Sequence, residues 1–465
     1  MSDTEFDIDT SKLTPANQNP WYILMTLYGE QEGDEIDWEL HKKNRRAWNS
    51  WIAKQIKGDD LDNISRITRE SIASIEELQS RNDDPIGLLE KTWKERGNNN
   101  ELKIPHSHSS INLSKNYFNK NFCISGFIYP NFFGISGSKF NKKFIASNAY
   151  FKNYLDISGN FFHGLMDLRE SMFVKGFCMF NNTLCESEFA FMRCHEEIFV
   201  RNCIFKEKIE FTMSTFDCDT KFETCKFESD VDFYDVEFKR RVEFIESKFC
   251  QKIKFTYCKF SDSLTLWKTK FLKYYPNFHG ASISEKFIIT SEENFWPKHN
   301  IANPRTALSS CARFRHALTS LGLTEDAHFF FRREMHFTGK VGSIWQRLPY
   351  HTYGAFSDYG YSIQRPTIAL ILMWFIGSIG LATGLTDARS TIGLIESLPV
   401  VTTTAAALSF SNLFPFFGFT GTYFEPGFLR ELPASLKVLS AAQTVLSLPL
   451  LFFLGLGLRT RFRMR

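Results

Sequence analysis

The sequence predicts a mainly β protein, a solenoid of short strands in square turns with α-helical segments on both sides. Three observations lead to this prediction. Large apolar side chains recur at every fifth or sixth residue between positions 211 and 271, in a chain of 465 residues that contains 49 Phe. Amphipathic helical patterns precede this region. Two long uncharged stretches, 367–385 and 438–458, follow it and predict a helical membrane module.

The spacing of the large side chains alternates between five and six residues. A helix repeats every 3.6 residues and a strand every 2, so neither element produces this spacing. A fixed short repeat indicates one small unit stacked on copies of itself. The positions are Phe211, Phe216, Phe222, Phe227, Phe233, Phe238, Phe244, Phe249, Phe255, Phe260, Leu266 and Phe271.

A small or β-branched residue stands two positions before most of these large residues. One large and one small inward side chain per segment describe one side of a square coil, and four sides give about 22 residues per turn. The residues between them are mostly charged or carry amides, as expected for an outer surface. The small positions are Ser214, Thr220, Cys225, Val231, Val236, Val242, Ser247, Ile253, Cys258 and Thr269.

This pattern resembles the phenylalanine-centred variety of the pentapeptide-repeat family. The resemblance covers roughly a third of the chain, and weaker repeats extend it to residues 122–290. The usual Ala-Asp/Asn-Leu wording of the family is largely missing. The resemblance implies a right-handed quadrilateral β-helix.

The ten cysteines lack metal-site spacing, because no Cys-x-x-Cys pair occurs. We expect Cys203, Cys225 and Cys258 to fill small inward positions as reduced thiols. The sequence contains no His-Glu-x-x-His, Gly-x-Ser-x-Gly or phosphate-binding Gly-Lys motif. We therefore expect no enzyme activity, no cofactor and no metal.

The segment before the solenoid divides into three parts. Residues 1–18 are expected to be a disordered acidic leader, 19–100 a helical unit, and 101–121 a linker. Residues 37–56 predict an amphipathic helix with Trp and basic side chains. One interpretation is binding to a membrane surface or a partner. The other is a cap that covers the open end of the solenoid, where backbone groups and rings would otherwise be exposed.

The stretches 367–385 and 438–458 contain 19 and 21 residues without a charge. A bilayer core of about 30 Å requires about 20 such residues per helix, so both stretches predict transmembrane helices. Residues 291–366 precede them and predict an amphipathic helical pair and a membrane elbow. The membrane module is expected to occupy residues 367–465.

Basic residues set the expected orientation, since they favour the cytoplasmic side. They precede the first stretch and follow the second. Both termini and the solenoid are therefore expected in the cytoplasm of a multi-pass protein of a bacterial inner or plasma membrane. The residues expected at the membrane surface are Arg332, Arg333, Lys340, Arg347, Arg365, Arg459, Arg461 and Arg463.

Residues 398–419, between the two stretches, are apolar but rich in Thr and Ser. A full crossing would place the arginine-rich tail outside, so a re-entrant segment is expected instead. The order helix, re-entrant segment, helix resembles the pore module of two-span cation channels, although the potassium filter wording is absent. The pore-lining candidates are Thr402, Thr403, Thr404, Ser409, Ser411 and Asn412.

Three hypotheses for function follow. The first is an oligomeric, ion-channel-like pore, a tetramer by analogy, whose cytosolic β-helix senses a partner or ligand. The second is a membrane-anchored scaffold that binds a cytosolic protein without conduction. The third is a DNA mimic that binds a topoisomerase. Acidic residues dominate from Glu207 to Glu237 and basic residues from Lys239 to Lys286, which opposes the continuous acidic face that mimicry needs. The expected partners are the lipid bilayer, further copies of the chain and an unidentified cytosolic protein, with no nucleic acid.

Overall fold

A computed structural model describes residues 8–56, 58–69, 72–80, 85–284, 286–298, 303–392 and 398–463. The chain divides into two compact units, residues 1–326 and 327–465. The first unit contains the solenoid with its flanking helices, and the second is α-helical. Each unit is described by itself.

The first unit is built around a parallel β-solenoid of about eight turns, which confirms the predicted fold class. Short strands stack on four faces, and strands on successive turns are usually 22 residues apart, as in the pairing of Phe227 with Phe249. One face contains Thr14–Pro15, Asn116–Phe118, Lys139–Phe140, Phe161–Asp167, Thr183–Glu188, Ile204–Phe205, Lys226–Phe227, Lys248–Phe249 and Lys270–Phe271.

The strands of the other three faces follow the same register. A second face contains Ile111–Asn112, Phe133–Ser136, Leu155–Ser158, Phe177–Phe180, Glu197–Arg201, Asp219–Glu223, Val242–Ile245, Ser263–Leu266 and Lys286–Ile289. A third contains Ile128–Tyr129, Tyr150–Phe151, Met172–Phe173, Arg193–Cys194, Thr215–Phe216, Glu237–Phe238 and Lys259–Phe260. The last contains Phe122–Cys123, Phe144–Ile145, Ile209–Glu210, Val231–Tyr234 and Ile253–Thr256.

The predicted large residues form columns of stacked rings inside the solenoid. The ring centroids of Phe211 and Phe233 are 4.7 Å apart, and those of Phe233 and Phe255 are 5.1 Å apart. A second column joins Phe227 to Phe249 at 4.6 Å. All of these rings are at most 5% exposed. Stacking at this distance adds to the free energy gained by burial of each ring.

The small inward position has a hydrogen-bonding role in addition to its packing role. Where it carries a hydroxyl or thiol, that group usually donates to the carbonyl 25 residues earlier: Ser247 to Phe222 at 3.2 Å, and Cys258 to Phe233 at 3.0 Å. These bonds satisfy polar groups that would be costly to bury alone. Burial raises the pKa of Cys203 to about 11 and that of Cys258 to about 12, so both remain thiols.

Helices before the solenoid cover its first turn. They are α1 (Pro20–Met25), α2 (Trp38–Ala53), α3 (Gly58–Thr68), α4 (Ile72–Ser80) and α5 (Pro85–Glu95). The α2 side chains reach the backbone of the first turn: the Trp48 indole donates to the Ile128 carbonyl at 2.9 Å. The Asn49 amide donates to the Gly126 carbonyl at 3.1 Å and accepts from the Ile128 N–H at 3.2 Å. These side chains therefore hydrogen-bond to backbone groups at the end of the solenoid, where no further strand is present to pair with them.

Two sequence-based boundaries are corrected. Residues 1–7 of the expected disordered leader lie outside the described residues, but Thr14–Pro15 pairs in parallel with Asn116–Tyr117. The expected linker 101–121 contains the strands Ile111–Asn112 and Asn116–Phe118, so the solenoid begins before residue 122. Both errors arise because short polar strands at a solenoid end derive their order from pairing, which local composition does not report.

At the other end of the solenoid, helix α6 (Pro304–Ser320) packs on the last turns. The ring of Phe314 stacks on Phe287, with centroids 5.6 Å apart, and Trp296 stacks on Phe271 at 5.0 Å. The Ser310 hydroxyl donates to the Pro276 carbonyl at 2.6 Å. The column of rings therefore continues into aromatic side chains of the segment that follows the strands.

The helices that follow are α7 (Thr324–Thr338), α8 (Ile344–Ser357), α9 (Gln364–Ile392), α10 (Leu398–Leu413), α11 (Phe419–Tyr423), α12 (Pro426–Glu431) and α13 (Ala434–Arg463). The helices α9 and α13 contain the two predicted spans. The described residues of the expected segment 291–366 form α6, α7 and α8 before α9 begins, and not the expected pair. Gly342 at φ 100° and the capping box at Ser343 end one segment and start α8.

The stacked column predicts a large energetic difference between inward and outward aromatic residues. Phe233→Ala should destabilise the surrounding turns by about 3–5 kcal/mol, because it removes a fully buried ring and leaves a cavity. Tyr234→Ala is the matched control, since Tyr234 is 40% exposed. Hydrogen exchange at the backbone of residues 231–256 measures the difference. Equal protection in the two variants would contradict the assignment.

The contact between α2 and the first turn should weaken at acidic pH. The His41 ring N–H donates to the Ser125 carbonyl at 2.9 Å, and burial lowers the His41 pKa from 6.5 to about 4. The unfolded segment therefore binds more protons between these values. The stabilisation is complete above about pH 6.5 and falls by up to about 3 kcal/mol as the pH drops towards 4.

Hydrogen exchange of the α2 amides at pH 7 and pH 5, corrected for intrinsic rates, measures this effect. His41→Gln keeps a donor without the titration and should remove most of the pH dependence. His106→Gln changes an exposed histidine and should leave it intact. An unchanged pH dependence in His41→Gln would show that another group is responsible.

Candidate functional site

The second unit contains two long antiparallel apolar helices. Near one end, Gly457 of α13 lies close to the segment before α9, because a Cβ at this glycine would stand 3.1 Å from the Ser362 carbonyl. Midway, the Gln443 amide donates to the Met373 carbonyl at 3.3 Å. Towards the other end, Leu436 and Leu381 share a buried apolar cluster. The beginning of α9 and the end of α13 therefore lie at the same end of the pair.

The apolar surfaces of α9 and α13 are largely exposed. Residues 364–387 and 434–462 are long and apolar enough to span a membrane, and only 17% of the residues in each most apolar window are buried. The exposed side chains include Phe375 at 60% and Ile376 at 69%. Others are Ile368, Ile371, Leu372, Ile379, Val438, Val445, Leu446, Phe452 and Leu458. Helices that form the core of a soluble protein bury such side chains, so within one chain α9 and α13 do not pack as core helices do.

The segment that connects α9 to α13 begins and ends at the same end of this helix pair. Ala405 and Leu408 of α10 pack in the cluster around Leu381, whereas Leu413, at the end of α10, packs between Leu370 and Leu450. The chain then returns, and Phe424, Phe428 and Leu432 pack again in the cluster around Leu381. The helix α10 has 16 residues and is thus about 24 Å long.

A cluster of buried polar side chains holds α10 against both long helices. The Gln443 amide of α13 donates to the Ser409 hydroxyl at 2.6 Å, and this hydroxyl donates to the Trp374 carbonyl of α9 at 2.9 Å. The Asn412 amide donates to Gln443 Oε1 at 3.3 Å and accepts from the Ser440 hydroxyl at 2.8 Å. Ser409, Asn412 and Gln443 are at most 6% exposed. We define Ser409, Asn412, Ser440 and Gln443 as the polar cluster.

Glycine on α9 makes room for the polar cluster. A Cβ at Gly377 would overlap the Gln443 amide and would lie 2.7 Å from the Ser409 hydroxyl. One helical turn away, a Cβ at Gly380 would lie 3.1 Å from Leu439 Cδ2. Small residues of this kind allow apolar helices to approach closely and permit hydrogen bonds between them.

The structure divides the six pore-lining candidates between two environments. Thr402 and Thr403 are exposed and Thr404 is half-buried. Ser409, Ser411 and Asn412 are buried within one chain, and the Ser411 hydroxyl donates to the Leu408 carbonyl at 2.9 Å. These three side chains therefore face the helix contacts of their own chain, whereas Thr402 and Thr403 face outward.

Aromatic residues follow the end of α10. Pro415–Phe417 form a 3₁₀ turn and Gly418 has φ 69°, a value that favours glycine. The rings of Phe417 and Phe419 stack at 5.7 Å, and Phe416 is 78% exposed. In the expected re-entrant segment, residues 398–413 are thus helical and the remainder is an aromatic turn.

The basic residues expected at a membrane surface also divide. The Arg332 guanidinium is 2.9 Å from an Asp358 carboxylate oxygen, and that of Arg365 is 3.9 Å from the other oxygen. Arg333 is only 4% exposed and packs over the Phe329 ring, so it does not lie on the surface as expected. Lys340 and Arg347 are half-buried, Arg459 and Arg461 are exposed, and the side chain of Arg463 lies outside the described residues.

On the outside of the solenoid, the acidic and basic regions of the sequence pair with each other. Lys239 lies 2.7 Å from Asp217, Arg241 lies 2.7 Å from Asp219, and Lys259 lies 2.9 Å from Glu237. Each pair joins residues 22 positions apart on successive turns. Hydrogen bonding to Arg241 lowers the pKa of Asp219. Cations of the next turn therefore neutralise Asp217, Asp219 and Glu237 of the acidic segment.

Sequence reasoning missed the most connected residue of the polar cluster, Gln443. Its signal was the spacing of Ser440, Gln443 and Ser447, which places three polar side chains on one face of an otherwise apolar helix. The side of α9 that faces α10 and α13, with Gly377 and Trp374, was also not predicted. The Trp374 indole donates to the Ala406 carbonyl at 3.0 Å.

Comparison with known proteins supports the repeat resemblance over part of the solenoid. A family model described as pentapeptide repeats matches residues 201–248 with nine copies. No curated protein and no solved structure matches the chain. The matched residues lie within the strands whose rings stack at the 22-residue register.

The polar cluster predicts which substitutions release α10. Gln443→Leu should destabilise the packing of α10 by about 1–3 kcal/mol, because it leaves buried groups of Ser409 and Asn412 without a partner. Val445→Leu, at a position that is 64% exposed, is the control. Hydrogen exchange of the α10 amides in the full-length protein in nanodiscs is the measurement. Equal exchange in Gln443→Leu and the control would contradict the role of the polar cluster.

Proposed function

We propose that the chain is an integral membrane protein whose second unit forms an ion-channel-like pore from several copies. The β-solenoid would then serve as a cytosolic rod that binds a partner or ligand. The observation that carries this proposal is the path of residues 398–433, which start and finish at the same end of the α9–α13 pair. In a bilayer this path would make the segment re-entrant.

The membrane location rests on length and exposure. The two helices offer 24 and 29 residues of span, enough for a hydrocarbon core of about 30 Å. Exposed rings and branched side chains on α9 and α13 match a lipid environment. Arg365 and Arg459 lie at the same end of the pair, which favours the cytoplasmic side for that end.

The pore requires more than one chain, because two spans and one re-entrant helix cannot enclose a path alone. A symmetric oligomer, a tetramer by analogy, would place the outward side of α10 towards a shared axis. Thr402 and Thr403 are then the favoured lining residues, since Ser409, Ser411 and Asn412 face the bundle. The aromatic turn at 415–417 provides an apolar constriction, in place of a carbonyl filter.

The alternative is a membrane-anchored scaffold without conduction. It is favoured by one specific observation: the polar side chains of α10 that point into the unit already have partners in their own chain. Such hydrogen bonding stabilises a folded anchor without any water-filled path. DNA mimicry is disfavoured, because cations of the following turn pair with Asp217, Asp219 and Glu237.

Oligomeric mass and ion flux separate these two functions. The full-length protein in lipid nanodiscs should form a symmetric oligomer, and the protein in liposomes should release a trapped ion. The double variant Thr402→Leu/Thr403→Leu should lower this flux by roughly tenfold or more while it leaves assembly unchanged, because it removes the hydroxyls from the path. Mass photometry and a fluorescent flux assay measure the two quantities.

Thr383→Leu/Thr386→Leu provides the matched control, because both hydroxyls are exposed on α9, away from the proposed path. This control should retain the flux. A monomer without flux would reject the pore and leave the scaffold. A conducting oligomer that is unaffected by Thr402→Leu/Thr403→Leu would reject the lining residues alone.

A further inference from the structure

The helix α8 has an exposed apolar face. Ile344 is 79% exposed, Trp345 82%, Leu348 52% and Phe356 43%. At 100° per residue these four side chains lie within about a third of the helix circumference. We call them the α8 apolar face.

The opposite side of α8 is packed and its ends are fixed. The Tyr353 ring lies 5.5 Å from the Phe453 ring of α13, and Ser357 is fully buried. The Ser343 capping box holds the first turn. The helix ends at Asp358 in a left-handed conformation, φ 50°, and the Arg332 guanidinium holds its carboxylate. Contacts on its opposite side and at both ends hold α8 in one orientation, which leaves the α8 apolar face exposed.

The helix α8 lies at one end of the α9–α13 pair. The helix packs where α9 begins and α13 ends, since Tyr353 contacts α13 and the Arg365 guanidinium donates to the Gly354 carbonyl at 2.8 Å. The exposed Arg459 and Arg461 follow at the same end of α13. The C-terminal half of α8, with the exposed Phe356, is thus held at the end of the helix pair whose charged side chains are expected to meet the headgroups.

We propose that α8 is an interfacial helix whose apolar face inserts between lipids at the cytoplasmic surface. This inference rests on the membrane location proposed above. Trp favours the headgroup boundary because its ring is apolar and its N–H is polar, and Ile and Leu gain free energy in the acyl region. Basic residues at that end add attraction to anionic lipids. The lipid-binding part of the chain then extends beyond the two spans to the segment that precedes them.

Photo-crosslinking in liposomes that contain anionic lipid tests this proposal with the full-length protein. Benzoylphenylalanine replaces Trp345 or Leu348 in separate variants. The same probe at Ile376 reports the span, and at Tyr257, half exposed on the solenoid, it reports a site on the proposed cytosolic rod. We expect lipid adducts at the α8 positions within roughly threefold of the Ile376 yield and about tenfold or more above the Tyr257 yield.

The outcomes distinguish this inference from the proposed function. Adducts at Ile376 without adducts at Trp345 and Leu348 would overturn the interfacial helix and leave the membrane location standing. Cross-links from the α8 positions to a second copy would also overturn it and would assign the face to assembly. An absence of lipid adducts at Ile376 would reject the membrane location itself and this inference with it.

Discussion

Stacking of aromatic rings at a fixed register is the interaction on which the first unit depends. Phe211, Phe233, Phe255 and Phe278 follow one another with centroids 4.7, 5.1 and 4.9 Å apart. A shift of one residue in any strand would turn its inward ring to solvent, because strand side chains alternate between faces. The register therefore also fixes the backbone conformation at the corners of the square turn. Met213, Asp235 and Tyr257 all adopt φ between 51° and 58° at the same corner.

The same register determines the polar contacts of the solenoid. Inside, Ser, Thr or Cys usually donates a hydrogen bond to the carbonyl 25 residues earlier, as Ser214 does to Phe189 and Thr269 to Phe244. Outside, a charge on one turn meets the charge 22 residues later. A change from acidic to basic composition along the chain thus becomes a set of ion pairs between turns. Individually exposed pairs stabilise weakly, but they remove the like-charge repulsion of an acidic turn.

The solenoid was predictable from the sequence because one side chain type repeats in every unit. Its ends were not, since the strands at Thr14 and Ile111 derive their order from pairing. The two long helices were recognisable because span length and the absence of charge are local properties. The polar cluster was not recognisable, because a hydropathy average over α13 hides Ser440 and Gln443 and does not indicate which helix lies against them. Arg333 was misplaced for the same reason, as its burial depends on packing around Phe329.

The polar cluster constrains how the second unit could work in a membrane. A hydroxyl or amide in hydrocarbon must find a partner, and α9 and α13 of the same chain supply the partners of Ser409 and Asn412. The position of α10 is therefore set before any copies meet. Assembly would join apolar surfaces that stay exposed in the single chain, and any path would be lined by what α10 still presents outward. In the proposed pore, conduction would depend on how copies pack and not on how one chain folds. The same unit without further copies would be an anchor.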